Sequence, residues 1–244
     1  MRINVFVISV LVLLFSCKKA EDRPCYKSFG EVVEKEILLD SVNRFELYKN
    51  IKYRFYQDST KRIVLRGGEN MLNFIEVQTV NYVTSINNTN SCNFLRNSDK
   101  LMEVDIHYPT YNSIYAEPTD SIIFMDTLKG DFTKIELRNG GGVLDLTVDM
   151  NHISLSVSFG VGSYVVKGRT KYSNLSIQNM GRGDALGLTS NFISIYQNSS
   201  NDLYSNFDSA EVKILYYANG DVFYSGTPDS LSISGVGDGE VLPY

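Results

Sequence analysis

The sequence predicts an all-β fold, built as a solenoid-like stack of short Gly-turned repeats, and three observations carry that expectation. Short alternating apolar strands recur at a near-constant spacing through the second half of the chain. Small-residue turns follow each of them, and the composition favours strand over helix, with 16 Tyr and 13 Phe against no Trp and few Ala-, Leu- or Glu-rich windows.

The repeating strands are Ile135–Leu137, Ile153–Val157, Leu175–Ile177, Ile193–Ile195, Val212–Ile214 and Leu231–Ile233, whose starts lie 18, 22, 18, 19 and 19 residues apart. The turns after them are Gly140-Gly141-Gly142, Gly160-Val161-Gly162, Gly181-Arg182-Gly183, Ser199-Ser200-Asn201, Ala218-Asn219-Gly220 and Gly235-Val236-Gly237. Apolar side chains at alternate positions point to one face, and the Gly and Asn residues are expected to supply the positive φ of a tight corner. One such unit cannot bury its own face, but stacked units share a continuous core. A β-sandwich of regularly spaced hairpins is the competing architecture.

The first half is less regular. Phe45–Tyr48, Ile51–Phe55, Ile63–Leu65, Val80–Ile86 and Val104–Tyr108 read as strands, the last stopped by Pro109. Glu69–Ile75, after Gly67-Gly68, reads as a helical turn, and Ser121–Phe124 with Asp126–Leu128 leads into the clear repeats. No Pro/Gly/Ser linker divides the halves, so residues 28–244 are expected to form one domain.

The amino-terminal segment speaks to location. Arg2 is followed by an apolar run, Ile3 to Phe15, shorter than the roughly 20 residues a spanning helix needs and typical of a signal-peptide core. It ends in Leu14-Phe15-Ser16-Cys17, which resembles the bacterial lipobox, in which cleavage precedes a Cys that then carries lipid. Residues 1–16 are therefore expected to be a lipoprotein signal peptide, Cys17 the lipidation site, and 17–27 a charged tether. An ordinary signal peptide followed by a chance Cys is the plainer alternative. Cleavage leaves 228 of the 244 residues and removes one basic residue, Arg2, taking the net charge from −5 to −6. With no basic cluster, nucleic acid is not an expected partner.

Cys25 and Cys92 remain, 67 positions apart and in an oxidising compartment. They read either as one disulfide or as two buried thiols. No metal-ligand spacing exists, and the only two histidines, His107 and His152, are far apart in sequence, so no metal or cofactor is expected.

The residues Gly220-Asp221-Val222-Phe223-Tyr224-Ser225-Gly226-Thr227-Pro228, then Ser232-Ile233-Ser234-Gly235-Val236-Gly237, closely resemble the closing signature of the adhesin head GIN domain family, common among Bacteroidetes lipoproteins. Gly181-Arg182-Gly183-Asp184 matches its internal G-x-G-D pattern, whereas Asn191–Asn201 departs from it. Cys92-Asn93-Phe94-Leu95-Arg96, with an early Cys such as Cys25, resembles one branch of the family. The resemblance implies a right-handed β-helix-like fold, lipoprotein anchoring and an adhesive role.

Catalytic signals are sparse. No GxSxG, HExxH or P-loop pattern is present, and each His reads as a surface or rim residue. Gly140–Gly142 could cradle an anion but reads better as a corner. Asp145, Asp149, Arg169, Lys171, Arg182 and Asp184 would be the candidates for a polysaccharide-cleaving β-helix, although Asp184 reads as a turn cap. The Tyr-rich stretches (Tyr48, Tyr53, Tyr56, Tyr108, Tyr111, Tyr115, Tyr216, Tyr217, Tyr224) read first as half-buried strand residues and second as ligand-facing rings. Asp-Ser/Thr-apolar triplets such as Asp120-Ser121-Ile122 resemble an O-glycosylation acceptor, or simply mark turns before strands. The expectation is a non-catalytic binding module of the envelope, outer-membrane anchored, on the cell surface or the periplasmic side. It would have the membrane and a glycan or protein as partners. A periplasmic structural lipoprotein is the alternative, and a polysaccharide-active enzyme comes third.

Overall fold

In the computed structural model, residues 28–90 and 102–244 are described. Cys17, Cys25 and Cys92, and with them the lipidation and disulfide expectations, lie outside the described residues. In chain order the elements are β1 (Val32–Leu38), β2 (Arg44–Leu47), β3 (Ile51–Tyr56), β4 (Arg62–Gly68), α1 (Glu69–Leu72), β5 (Ile75–Val80), β6 (Val83–Asn88) and β7 (Met102–His107). There follow β8 (Ser113–Ala116), β9 (Ile122–Phe124), β10 (Leu128–Arg138), β11 (Val143–Ser158), β12 (Ser163–Asn179) and β13 (Arg182–Ser199). The last are β14 (Leu203–Asn206), β15 (Glu211–Tyr216), β16 (Val222–Ser225), β17 (Ser230–Gly235) and β18 (Val241–Pro243).

The fold is a β-solenoid of about seven turns, and each turn gives one strand to each of two parallel ladders. The front ladder runs β6, β2, β8, then the second halves of β10 to β13, then β15 and β17. The back ladder runs β7, β3, β9, the first halves of β11 to β13, then β14, β16 and β18. The long strands pass from one ladder to the other at Asp131, Asn151, Lys171 and Asn191, single positions at which the pairing is interrupted. For that reason the sequence reads as separate short strands where the chain holds strands of 16 to 18 residues.

The spacing comes from register. Ile135, Leu155, Leu175, Ile195, Ile214 and Ile233 pair in succession and form one inward column. All but the last are buried, and Ile233 is 51% exposed because no further strand stacks on β17 among the described residues. At the other end β4 pairs antiparallel with β1 and β7, β5 pairs antiparallel with β6, and α1 buries Met71 and Leu72. Arg54 and Arg66 tie this cap together through Asp105 and Glu103, with Arg54 Nε 2.6 Å from Asp105 Oδ1. One end of the core is therefore covered and the other is open.

Two expectations need correction. Val80–Ile86 is not one strand: β5 and β6 form a hairpin turned at Asn81 and Tyr82, both at positive φ. The turn-forming residues had been hidden inside an apolar run. Gly235 takes the positive φ expected of a corner, at 126°, but Gly140, Gly142 and Gly160 do a different job. Left-handed backbone is held by Asn139, Phe159 and Asn179, at φ 55°, 55° and 61°. Gly140, Gly142 and Gly160 are needed for close approach instead, since a methyl carbon there would sit 2.1, 2.1 and 2.3 Å from a carbonyl oxygen of the preceding turn. In the turn that lacks Gly, the buried Ser199 hydroxyl donates to the Gly181 carbonyl, 2.8 Å away, and so meets the same packing need.

Candidate functional site

Parallel stacking in register turns a single sequence position into a column of like positions on successive turns. Outward positions of the front ladder show this best. Phe132, His152, Tyr172 and Phe192 lie 20 residues apart and pair in register, each just past the residue at which the strand changes ladder. Phe132 and His152 meet edge to face at 5.0 Å, His152 and Tyr172 are tilted at 6.0 Å, and Tyr172 and Phe192 stack at 4.9 Å. Phe132 and Tyr172 remain 43% and 37% exposed. The result is an apolar stripe of four rings running along the stack, with Lys171 Nζ 5.1 Å from the Tyr172 ring centre.

Beside this stripe the outward side chains become small and polar. The next column is Lys134, Ser154, Asn174, Ser194 and Lys213, and the one after it is Glu136, Ser156, Ser176, Tyr196 and Leu215. Short side chains flanked by long ones leave a hollow of about 260 Å³, floored by Ser154, Ser156, Asn174, Ser176 and Ser194. Lys134 and Glu136 close one end, their charges 3.1 Å apart, and Tyr196 closes the other. A second hollow of about 200 Å³ adjoins it, bounded by His152, Tyr172, Phe192, Glu211 and Lys213. Asn174 and Ser194 line both, so the two make one trough with an aromatic wall and a hydroxyl floor. Asn174 Nδ2 lies 3.0 Å from His152 Nε2, which joins wall to floor.

Of the tyrosines and histidines singled out from the sequence, His152 lies in the trough and the others described below fall elsewhere. Tyr53, Tyr108, Tyr111 and Tyr216 are core residues whose hydroxyls bond backbone groups, for example Tyr111 Oη to the Tyr56 carbonyl at 2.7 Å. Burial drives the Tyr53 and Tyr111 phenols well above their ordinary range and pushes Tyr216 up to about 12. Tyr48 and Tyr115 are half-buried and bond Glu46 and Glu117. His107 stacks on Tyr56 and lies 2.7 Å from Asp58 Oδ2, while His152 belongs to the exposed stripe.

Of the candidates for an acid-cleaving site, Arg169 pairs with Asp149 at 2.8 Å and Asp184 accepts from the Leu186 amide, the capping role expected of it. Arg182 reaches Asn201, and none of the six candidates lines the trough. The Gly141 and Gly142 amides both donate to the Pro118 carbonyl, so this turn is a corner and not an anion cradle. Among the described residues no cluster of three His, Cys, Asp or Glu is gathered as a metal site requires.

Residues 43–228 match the family described as "Putative auto-transporter adhesin, head GIN domain". The chain belongs to this family. The matched span includes the whole trough and the aromatic stripe.

Solved structures agree in fold. A protein of Bacteroides fragilis described as a putative adhesin shares 20% identity with a TM-score of 0.75, covering 88% of this chain and 97% of its own. A putative adhesin of Parabacteroides merdae shares 18% identity at a TM-score of 0.65, with coverage of 88% and 97%. A Parabacteroides distasonis protein described as a putative lipid binding protein shares 13% at 0.63, with the same coverage. No curated protein matches the chain.

The closing GIN signature is stacking hardware. Gly220 lets its turn approach the Asn201 carbonyl, and the Asp221 carboxylate accepts the Glu240 amide at 2.8 Å. The aromatic column, by contrast, escaped the motif search. Its signal was the 20-residue spacing of ring-bearing residues at positions 132, 152, 172 and 192. No helix among the described residues is long and apolar enough to cross a membrane.

Proposed function

We propose that this head GIN protein is a non-catalytic binding module of the bacterial envelope. In this reading it is held by lipid on Cys17 after removal of residues 1–16, stands off the membrane on the tether 17–27, and meets its partner with the front ladder. The observation that carries the reading is the continuous, partly exposed aromatic stripe beside a hollow of small polar side chains. Contiguous exposed rings rimmed by polar groups are a common mark of an interaction surface. Membership of an adhesin family supports the same direction. Lipid attachment rests on Leu14-Phe15-Ser16-Cys17, and a Cys25–Cys92 bridge would fit an exported chain.

Two measurements test this reading. Radiolabelled palmitate should enter the wild-type protein and be lost from Cys17→Ala. Protease shaving of intact cells, with a periplasmic lipoprotein as control, should remove the protein while the control survives. Survival until the outer membrane is opened would instead favour the periplasmic structural lipoprotein.

A further inference from the structure

We infer that the trough on the front ladder takes an uncharged oligosaccharide, laid along the solenoid against the aromatic wall. This inference rests on the binding-module reading and adds the chemistry of the ligand.

Hydrogen-bonding capacity comes first. The hydroxyls of Ser154, Ser156, Ser176 and Ser194 line one hollow, and none of them bonds another protein group among the described residues. A hydroxyl both donates and accepts, so it pairs best with a partner that does the same, namely another hydroxyl. A carboxylate only accepts and an ammonium only donates, and either would use half of this floor.

Charge gives the same answer. The ionised residues that line the trough balance in number, with Lys134 3.1 Å from Glu136 at one end and Glu211 and Lys213 at the other, and Lys171 adds one cation against the Tyr172 ring of the wall. The floor between them is neutral. An acidic or sulfated chain finds one cation at the wall, Lys171, and none on the floor, and a cationic ligand finds no surplus of carboxylates.

Two other ligand classes fit the site poorly. An extended peptide is captured by adding to a free strand edge, yet β11, β12 and β13 are each paired on both sides over the trough. An acyl chain would strip water from four hydroxyls and an amide without replacing their bonds. A pyranose suits both walls, because its hydroxyls meet the serines and its C–H surface meets aromatic carbon. Tyr172 and Phe192 stack face to face, so the surface they offer is a row of ring edges. Successive turns repeat these groups about every 4.8 Å, which gives an extended sugar chain a fresh set at each step.

The test uses the full-length chain purified in detergent and calorimetric titration with four probes: neutral gluco- and manno-oligosaccharides, an oligogalacturonate and a heparin fragment. The expected result is binding of a neutral oligosaccharide, weakened about tenfold by Ser156→Ala with Ser176→Ala and abolished by Ser176→Arg. Thr147→Ala on the back ladder should leave it unchanged. Thermal unfolding of each variant shows that the fold is retained. Binding of the acidic probes alone, or neutral binding indifferent to both front-ladder changes, would overturn the inference. So would the absence of any glycan binding while deletion of the protein still reduces bacterial attachment to host cells, an outcome that leaves the binding module standing. No glycan binding together with unchanged attachment would sink both.

Discussion

Gly183 and Tyr164 form a tight large-small pair in the core, and they define a perturbation with a calculable outcome. On the back ladder Leu144, Tyr164, Gly183 and Leu203 pair in succession and point inward, so Tyr164 fills the space that Gly183 leaves. A methyl carbon added at Gly183 would lie 2.5 Å from Tyr164 Oη, 2.6 Å from Cζ and 2.9 Å from Cε2. The ring is 1% exposed and has no room to withdraw. Overpacking of this kind costs about 1–3 kcal/mol, and the stiffer unfolded chain of the Ala variant returns about 0.4–1 kcal/mol where its backbone is tolerated. Gly183→Ala should therefore destabilise by about 1–2 kcal/mol, lowering Tm by roughly 2–8 °C in a chain of this size.

A double-mutant cycle separates this clash from a general loss of backbone freedom. Tyr164→Val opens a cavity and is itself costly, about 3 kcal/mol by analogy with aromatic truncations. In that background the Ala methyl fills empty space, so Gly183→Ala should become neutral or stabilising, a coupling of about 1–3 kcal/mol. Urea unfolding followed by circular dichroism measures all four corners, with coincidence of two probes as the check on two-state behaviour. Additive effects within about 0.5 kcal/mol would refute the packing argument. Tyr164→Phe adds a second arm. The phenol is fully buried with no bonding partner among the described residues, and burial drives its pKa well above the ordinary range. Removing that oxygen should stabilise the protein by about 1 kcal/mol, because a buried unpaired hydroxyl costs roughly 1–3 kcal/mol.

Two further outcomes follow from the ends of the stack and from its charges. Among the described residues β17 and β18 each pair on one side only, so their amides should exchange with deuterium before those of β11 to β13, and protection rising from β7 instead would reverse the assigned open end. Burial opposes ionisation of Asp58, but bonds from Thr60 and His107 outweigh it and hold its pKa down at about 2, against 3.8 when unperturbed. A depressed carboxylate stabilises above its unfolded pKa and loses that contribution as pH falls from about 4 to about 2, so Asp58→Asn should flatten the acid limb of the stability curve in that window. An unchanged limb in an acid titration followed by fluorescence would show that other carboxylates set it.

The solenoid was legible in the sequence because register forces it to be. A column such as Ile135, Leu155, Leu175 and Ile195 fills with β-branched or Leu side chains only if each turn has nearly the same length, and that constancy appears as period. The first turn hid the same rule. β2 and β8 stack as neighbours although 69 residues separate Arg44 from its partner Ser113, because the β4–β7 excursion departs and returns between them. No local pattern carries such a distance. Several corner glycines were found but misread, since a Gly whose added Cβ would lie 2.1 Å from a carbonyl looks in sequence like a Gly required by φ, as Gly235 is. The aromatic column was missed for a related reason. Tyr-rich clusters drew the eye, but residues adjacent in sequence point to opposite faces of a strand, and much of that Tyr went to the core.

This alternation bears on how a head GIN fold acquires a ligand. Inward positions are constrained by every neighbouring turn, whereas outward positions of the same strands contact mainly their own column. Ser154, Ser156, Asn174, Ser176 and Ser194 interleave with Leu155, Leu175 and Ile195, so the floor can change residue by residue without touching the core. The ends of the trough are set the same way, by the change from serine to Lys134 and Glu136 on one side and to Tyr196 and Lys213 on the other. A conserved stack can thus carry different surfaces. That separation explains how structures matching this chain at 20% identity or less retain the fold, and it means that likeness in the core carries no information about what the outward columns bind.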